Sequence, residues 1–143
     1  MEVLDLSLVK QLCVPGESIQ DAVAFERNEV ARQERLYRGN RLPLPVAGKT
    51  VILVDDGIAT GSCILAAIAA VRGQGAARII VAVPVAPATT CNAIRMEADE
   101  VISVVEPETF LAISQWYEDF SQTSDEEVCA LLERQGSSAP RAA

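Results

Sequence analysis

Apolar positions recur along this chain in two rhythms, and the change falls near residue 49. Upstream, within 17–38, Ile19, Val23, Val30 and Tyr37 stand zero, four, eleven and eighteen positions from the first of them. At about 100° per residue these fall on one narrow stripe, which predicts an amphipathic helix. Ser18 is placed to cap its start and Gly39 to stop it. Residues 40–48, with Pro43, Pro45 and Gly48, read as a connector. The run over 1–9 is the only candidate strand upstream, and a weak one.

Downstream the pattern becomes that of strands and helices in alternation. Val51-Ile-Leu-Val54 is a continuous aliphatic run, expected of a central parallel strand covered on both faces. Residues 61–74 read as a helix with Ile64, Leu65, Ile68 and Val71 inward and Gly75 at its C-terminal end. A buried strand is expected over 78–85, with Pro84 ending its pairing. A short helix over 87–97 and a strand over 101–105 follow. This order implies right-handed βαβ crossovers and a parallel sheet. Residues 110–120 have no clear pattern. A last helix over 124–134 opens on a capping box, Ser124 with Glu127 three residues on. The expected organisation is a helical segment 1–48, an α/β core 49–135 and a frayed tail 136–143.

Composition narrows the function classes. Half of the 143 residues are apolar, enough for one folded core, and the formal charge is −8. An acidic chain lacks the clustered basic face that a nucleic-acid backbone attracts, so nucleic acid is not an expected partner. It remains compatible with a small phosphorylated ligand, which responds to local donors and dipoles. No apolar run approaches the roughly 18 residues of a membrane span, and the first residues do not read as a signal peptide. The four cysteines are scattered and no histidine is present. That argues against a structural zinc site, excludes Ser-His-Asp and Cys-His catalysis, and fits a cytoplasmic protein with reduced thiols.

The chemistry concentrates in Val51–Cys63. Asp55 and Asp56 stand where a parallel strand ends, the edge at which open α/β sheets bind ligands. A loop of small residues, Gly57-Ile-Ala-Thr-Gly61, then enters a helix, whose first amides and positive dipole end form an anion site. Thr60, Ser62 and Cys63 add side-chain donors. The carboxylates repel a phosphate but suit a sugar diol, or a divalent cation with an oxygen shell. A phosphate one sugar away from a diol is a 5-phosphoribosyl group. The bland alternative is a strand ended by solvated acids before a helix capped by Thr60. A phosphate-accepting receiver domain is excluded because the later strand ends Val83-Pro-Val-Ala and the lysines, Lys10 and Lys49, both lie upstream. A P-loop is excluded because no Gly-Lys-Ser/Thr follows.

Val51–Cys63 resembles the diphosphoribosyl (PRPP) signature of type I phosphoribosyltransferases: an apolar strand, two acids, three variable residues, then Thr-Gly-x-Thr. The resemblance extends over 26–132, including Glu34-Arg-Leu-Tyr-Arg-Gly39 and Trp116-Tyr-Glu-Asp-Phe120, to a poorly characterised bacterial phosphoribosyltransferase-like group. It implies a Rossmann-like α/β core with its N-terminal part shortened. It also implies a ligand that is PRPP or a nucleoside 5′-monophosphate with Mg²⁺, and displacement of pyrophosphate from C1′ by a nitrogenous base. By match to the motif, Asp55 and Asp56 would take the ribose hydroxyls as the catalytic pair, and Ala59, Thr60, Gly61, Ser62 and Cys63 the 5′-phosphate.

Three departures qualify that reading. Cys63 stands where the family usually has Thr, exchanging a hydroxyl donor for a weak thiol donor worth about 0.5–1.5 kcal/mol less. Ala59 stands where the 6-oxopurine enzymes carry an acid, which disfavours hypoxanthine and guanine. The pyrophosphate-binding loop that usually precedes the signature strand has no counterpart in the upstream residues. Arg35, Arg38, Arg41 and Lys49 are candidates for a pyrophosphate, although Arg35 and Arg38 equally suit the C-terminal end of a helix. A non-catalytic phosphoribosyl sensor or assembly module is therefore the rival to a transferase. With three clear strands, the edge beside Val51–Val54 calls for cover, and self-association into a homo-oligomer is expected. Trp116, Tyr117 and Phe120 form either a lid over a base or core packing. Cys91 is either a reactive thiol or buried and inert. Glu106 and Glu108 read as a solvated turn.

Overall fold

The computed structural model describes residues 6–39 and 41–138. They form two compact units: residues 6–12 with Leu44–Phe120, and residues 13–43 with 121–138.

The first unit holds the sheet. Three parallel strands, β1 (Thr50–Val54), β2 (Arg78–Val85) and β3 (Glu100–Val105), lie in the order β1-β2-β3. Val51 sits opposite Ile79, and Val81 opposite Val101. Helices α3 (Ser62–Gly73) and α4 (Ala88–Ile94) make the two crossovers. Side chains alternate along β2, so Ile79, Val81, Val83 and Val85 point to one face and are 4% exposed or less. Ile64 and Ile68 of α3 and Cys91 and Ile94 of α4 close over them, with Leu65 and Val71 packed at the margin. This unit also contains α1 (Leu6–Gln11), so residues 6–9 are helical where a weak strand was expected; 1–5 lie outside the described residues.

Two expectations about β1 are corrected. It lies at an edge, and β2 is the central strand. It is also covered on one face only: Ile52 is 60% and Val54 75% exposed, and Ile102 and Val104 of β3 continue that open face. A continuous aliphatic run marks a strand that presents apolar residues to both faces; it does not say that both faces are filled within the unit.

Pro84 ends the pairing on one side only. The β1 ladder stops at Ala82, while pairing with β3 continues through Val85. After α3 the chain reverses through Gly75 at φ +83°, its amide donating to the Arg72 carbonyl at 2.9 Å. Asp99 anchors the start of β2 by accepting the Ile79 amide at 2.7 Å and pairing with Arg72 at 3.0 Å. Those contacts, the amide first, hold its carboxyl below the usual aspartate range.

The second unit is the pair α2 (Gly16–Arg38) and α5 (Asp125–Ser138). Helix α2 starts two residues before the expected cap: Pro15 occupies the N-cap position and Ser18 lies inside the first turn. Proline's fixed φ suits a helix entrance, and it sets the start of α2 ahead of Ser18 without any side-chain cap. Gly39, at φ +54°, stops α2, its amide bonded to the Arg35 carbonyl at 3.0 Å. The capping box of α5 is present: the Ser124 amide donates to Glu127 Oε2 at 2.8 Å and the Glu127 amide to Ser124 Oγ at 3.3 Å. The helix continues through Ser138, so 136–138 are helical rather than frayed; 139–143 lie outside the described residues. Asp125 joins the helices by accepting from Tyr37 and from Arg32, and both contacts lower its pKa.

Candidate functional site

The segment that carries the candidate chemistry is fixed at its middle rather than its ends. Ile58 is 2% exposed and belongs to the core, and its amide donates to the Val85 carbonyl at 3.0 Å. Burying such a side chain contributes about 1.5–3 kcal/mol, enough to pin a loop otherwise made of small and polar residues. On either side of this anchor the chain is exposed, with Asp55 and Asp56 before it and Ala59 and Thr60 after it.

A shallow cavity of about 200 Å³ is lined by Asp55–Ile64 and by Ile113. The residues expected to take the ribose hydroxyls and the 5′-phosphate therefore line one cavity: the acids at the C-terminal end of β1 and the donors where the loop enters α3. The Asp56 amide donates to Asp55 Oδ1 at 3.0 Å, which orients that carboxylate and leaves its other acceptor sites free. Thr60 Oγ1 and Ser62 Oγ lie 3.3 Å apart, so two hydroxyls converge where the loop enters the helix.

Thr60 does not occupy the cap position of this helix, and its Oγ1 accepts the Ser62 amide only at a long 3.5 Å. Gly61 occupies the N-cap position in the left-handed conformation at φ +83°, without a side-chain cap. The first amides of α3 thus have neither an intrahelical carbonyl nor a firm side-chain acceptor, which is the condition for an anion site at a helix N-terminus. Cys63, the second residue of that helix, is exposed.

Neighbouring elements support the loop in ways that spacing alone does not reveal. Thr90 of α4 donates its hydroxyl to the Ala59 carbonyl at 2.9 Å. A Cβ on Gly61 would stand 3.0 Å from the Thr90 methyl. Residues 113–116 form a 3₁₀ turn that rests on Gly57, where a Cβ would stand 2.8 Å from Ile113 Cγ2. The next residue, Tyr117, donates its phenol to the Asp56 carbonyl at 2.5 Å. The one sequence signal for this support was Gly57 itself, since a glycine beside two acids marks a close approach.

The remaining candidates separate. Lys49 precedes β1 and lies about 20 Å of strand from Asp55, beyond the reach of a lysine side chain. Arg35, Arg38 and Arg41 belong to the other unit, where Arg38 donates to the Leu42 carbonyl at 2.7 Å. Trp116 and Phe120 are 41% and 45% exposed, so the aromatic cluster is not core. Tyr117 and Phe120 pack ring to ring with centroids 5.2 Å apart. Cys91 is fully buried, and desolvation first, then Glu106, pushes its thiol pKa up, which makes it inert. Glu106 is not a purely solvated turn residue, because it pairs with Arg95 at 2.6 Å.

Comparison with known proteins points to one family. The model of the phosphoribosyl transferase domain matches residues 8–121. A Mycobacterium tuberculosis protein named "Putative phosphoribosyl transferase" is 40% identical over 106 residues, covering 74% of this chain and 24% of that protein. The "Bifunctional protein PyrR" of Brevibacillus brevis is 31% identical over 77 residues, 52% of this chain and 42% of that protein. The crystal structure of TT1426 from Thermus thermophilus superposes with a TM-score of 0.72 at 34% identity, over 86% of this chain and 59% of that one. The chain thus spans about a quarter of the mycobacterial relative. With an α/β parallel sheet of the expected kind, a domain match over most of its length and these relatives, the chain belongs to the phosphoribosyltransferase family.

Proposed function

We propose that this chain binds PRPP or a nucleoside 5′-monophosphate and transfers the 5-phosphoribosyl group to a nitrogenous base. The observation that carries this reading is the shared cavity of Asp55 and Asp56 with the Thr60–Cys63 donors. Phosphate oxygens would accept from the amides of Ala59–Cys63 and from the Thr60 and Ser62 hydroxyls. The ribose 2′- and 3′-hydroxyls would donate to the two carboxylates. In the transfer the C1′–O bond to pyrophosphate breaks with its electron pair, the base nitrogen bonds to C1′, and the proton on that nitrogen is released. Positive charge builds on the ribose as the first bond lengthens, so carboxylates beside the ring stabilise it and the loop holds the sugar in line.

Mg²⁺ fits this donor set in the mode of one or two carboxylates completed by ligand oxygens. Asp55 and Asp56 would supply the protein's share, and the ion would neutralise the departing pyrophosphate. The upstream residues favour a second reading. Residues 6–11 and 16–38 are helices, with no strand-then-loop for pyrophosphate among the described residues before β1. On that reading the chain is a phosphoribosyl sensor or assembly module without turnover.

Calorimetry with PRPP, AMP, GMP and UMP, each with and without Mg²⁺, tests the pocket. Binding of at least one, tighter with Mg²⁺ for PRPP, is expected; binding of none would sink both readings. Release of pyrophosphate from PRPP on adding a panel of bases then separates transferase from sensor. GMP is expected to bind no better than the others, because Ala59 offers no acid to a 6-oxopurine.

Among the described residues no helix is long and apolar enough to cross a membrane, and we place the protein in the cytoplasm without a nucleic-acid partner. We further infer a homo-oligomer in which a second copy covers the open sheet face of Ile52, Val54, Ile102 and Val104 beside the β1 edge. Light scattering after size exclusion should give at least twice the 15.3 kDa chain mass; a stable monomer at tens of micromolar would overturn this.

A further inference from the structure

The aromatic segment after β3 touches the candidate pocket through backbone and core contacts, not by lending a side chain to its wall of donors. Ile113 lines the cavity and presses on Gly57, so closely that no other residue fits at position 57 without displacing it. Four residues on, the Tyr117 hydroxyl reaches back to the Asp56 carbonyl at 2.5 Å. These two contacts bracket one peptide unit, the link between the second acid and the loop. Phe120 packs against the Tyr117 ring, tilted by 47° to it. Trp116, the sole tryptophan of the chain, sits between the two contact residues and is 41% exposed.

The peptide that Tyr117 holds carries the Asp56 carbonyl, so the contact fixes the backbone from which the Asp56 carboxylate projects. An exposed side chain on a loop can point in several directions, and selecting one costs conformational entropy on ligand binding. Fixing the carbonyl of the same residue removes part of that freedom in advance. A tyrosine hydroxyl suits the task because its ring is held by packing while its tip donates one directed hydrogen bond.

We propose that Tyr117 is a positioning residue for the pocket: its hydroxyl on the Asp56 carbonyl, with Ile113 seated on Gly57, couples the 113–120 segment to ligand binding at Asp55 and Asp56. This rests on the phosphoribosyl reading above. Coupling is reciprocal, so a ligand that orders Asp56 also orders the segment, and Trp116 reports it.

The test uses the full chain with PRPP and Mg²⁺, or with whichever nucleoside monophosphate binds more tightly. Titration of wild type should change Trp116 emission with the same midpoint as calorimetry. Tyr117→Phe keeps the ring and its contact with Phe120 and removes only the donor. It should weaken binding by up to about tenfold, since the ligand must then supply the ordering that this bond provides in advance and one neutral hydrogen bond sets the ceiling, and it should shrink the emission change. A wild-type affinity and an unaltered emission change in Tyr117→Phe, at an unchanged melting temperature, would overturn the proposal. Should that variant melt well below wild type, Ile113→Val serves instead: weakened binding supports the coupling, and unchanged binding overturns it. No binding by wild type at all would remove the phosphoribosyl reading itself, and this proposal with it, whereas normal wild-type binding with indifferent variants removes only the role of Tyr117.

Discussion

Replacing both acids, Asp55→Asn with Asp56→Asn, is expected to raise the dissociation constant for PRPP or a nucleoside monophosphate by about 100-fold or more. A carboxylate that accepts from a sugar hydroxyl makes a charge-assisted bond worth about 1.5–3 kcal/mol, and an amide retains only part of it. Losing most of two such bonds removes roughly 3 kcal/mol, at 1.4 kcal/mol per factor of ten. One effect opposes this. Each carboxylate repels the phosphate of the same ligand, and the amides relieve that repulsion. Both acids are exposed, so the pair interaction in near-bulk solvent is at most about 1 kcal/mol at 4 Å and less at the length of a sugar. Hydrogen bonding therefore wins. Inorganic phosphate alone, which needs only the loop, should bind the double variant as well as wild type or slightly better. Melting should move little, because neither side chain takes part in the core. Calorimetry with the ribosyl ligand and with phosphate, on both proteins, separates these effects. Equal loss for both ligands would mean that the substitutions deform the loop, and no loss for either would place the sugar elsewhere.

How much of this was legible in the sequence depends on what each residue pattern encodes. The β2 strand appears at the residues expected because its buried positions alternate and Arg78 bounds it sharply. Helix α3 was equally plain, since Ile64 and Ile68 repeat at helical spacing and both are buried. The site was legible for the same reason: Asp55 to Cys63 is contiguous, and a motif of adjacent residues needs only a strand and a helix to become a place. What sequence spacing hides is contact at long range. Tyr117 and Asp56 are sixty-one positions apart, Thr90 and Ala59 thirty-one, and no periodicity links them. Faces were also hidden. Val51-Ile-Leu-Val54 reads the same whether one or both sides of the strand are filled, and only the packing of α3 and α4 on a single face decides it. At the start of α2, Ser18 is a good cap by type, but Pro15 has already fixed the entrance. The capping box at Ser124 was readable because both partners are local.

Gly61→Val is expected to destroy phosphate binding while leaving a folded but weakened domain. Gly61 is the hinge between loop and helix, at φ +83°. For an L-residue the left-handed region costs about 1–2 kcal/mol, and a β-branched side chain lies at the upper end or beyond. Space is also short, because even the first added carbon stands 3.0 Å from the Thr90 methyl. Thr90 cannot yield without loosening its hydroxyl from the Ala59 carbonyl, so relief of the clash releases the loop from its second support. The backbone is then expected to leave the left-handed region, turning the first amides of α3 away from the cavity. Strain and crowding together should lower stability by about 2–3 kcal/mol, within the cost range of a disallowed glycine replacement. The matched control is Gly73→Ala in the last turn of the same helix. Nothing lies within 4 Å of its added carbon and its φ is not positive. Alanine there should stabilise by about 0.5–1 kcal/mol and leave affinity unchanged. Thermal melts and phosphate titrations on both variants make the comparison. A Gly61→Val protein that binds phosphate like wild type would show that the anion is held by side chains alone, and would remove the helix N-terminus from the site.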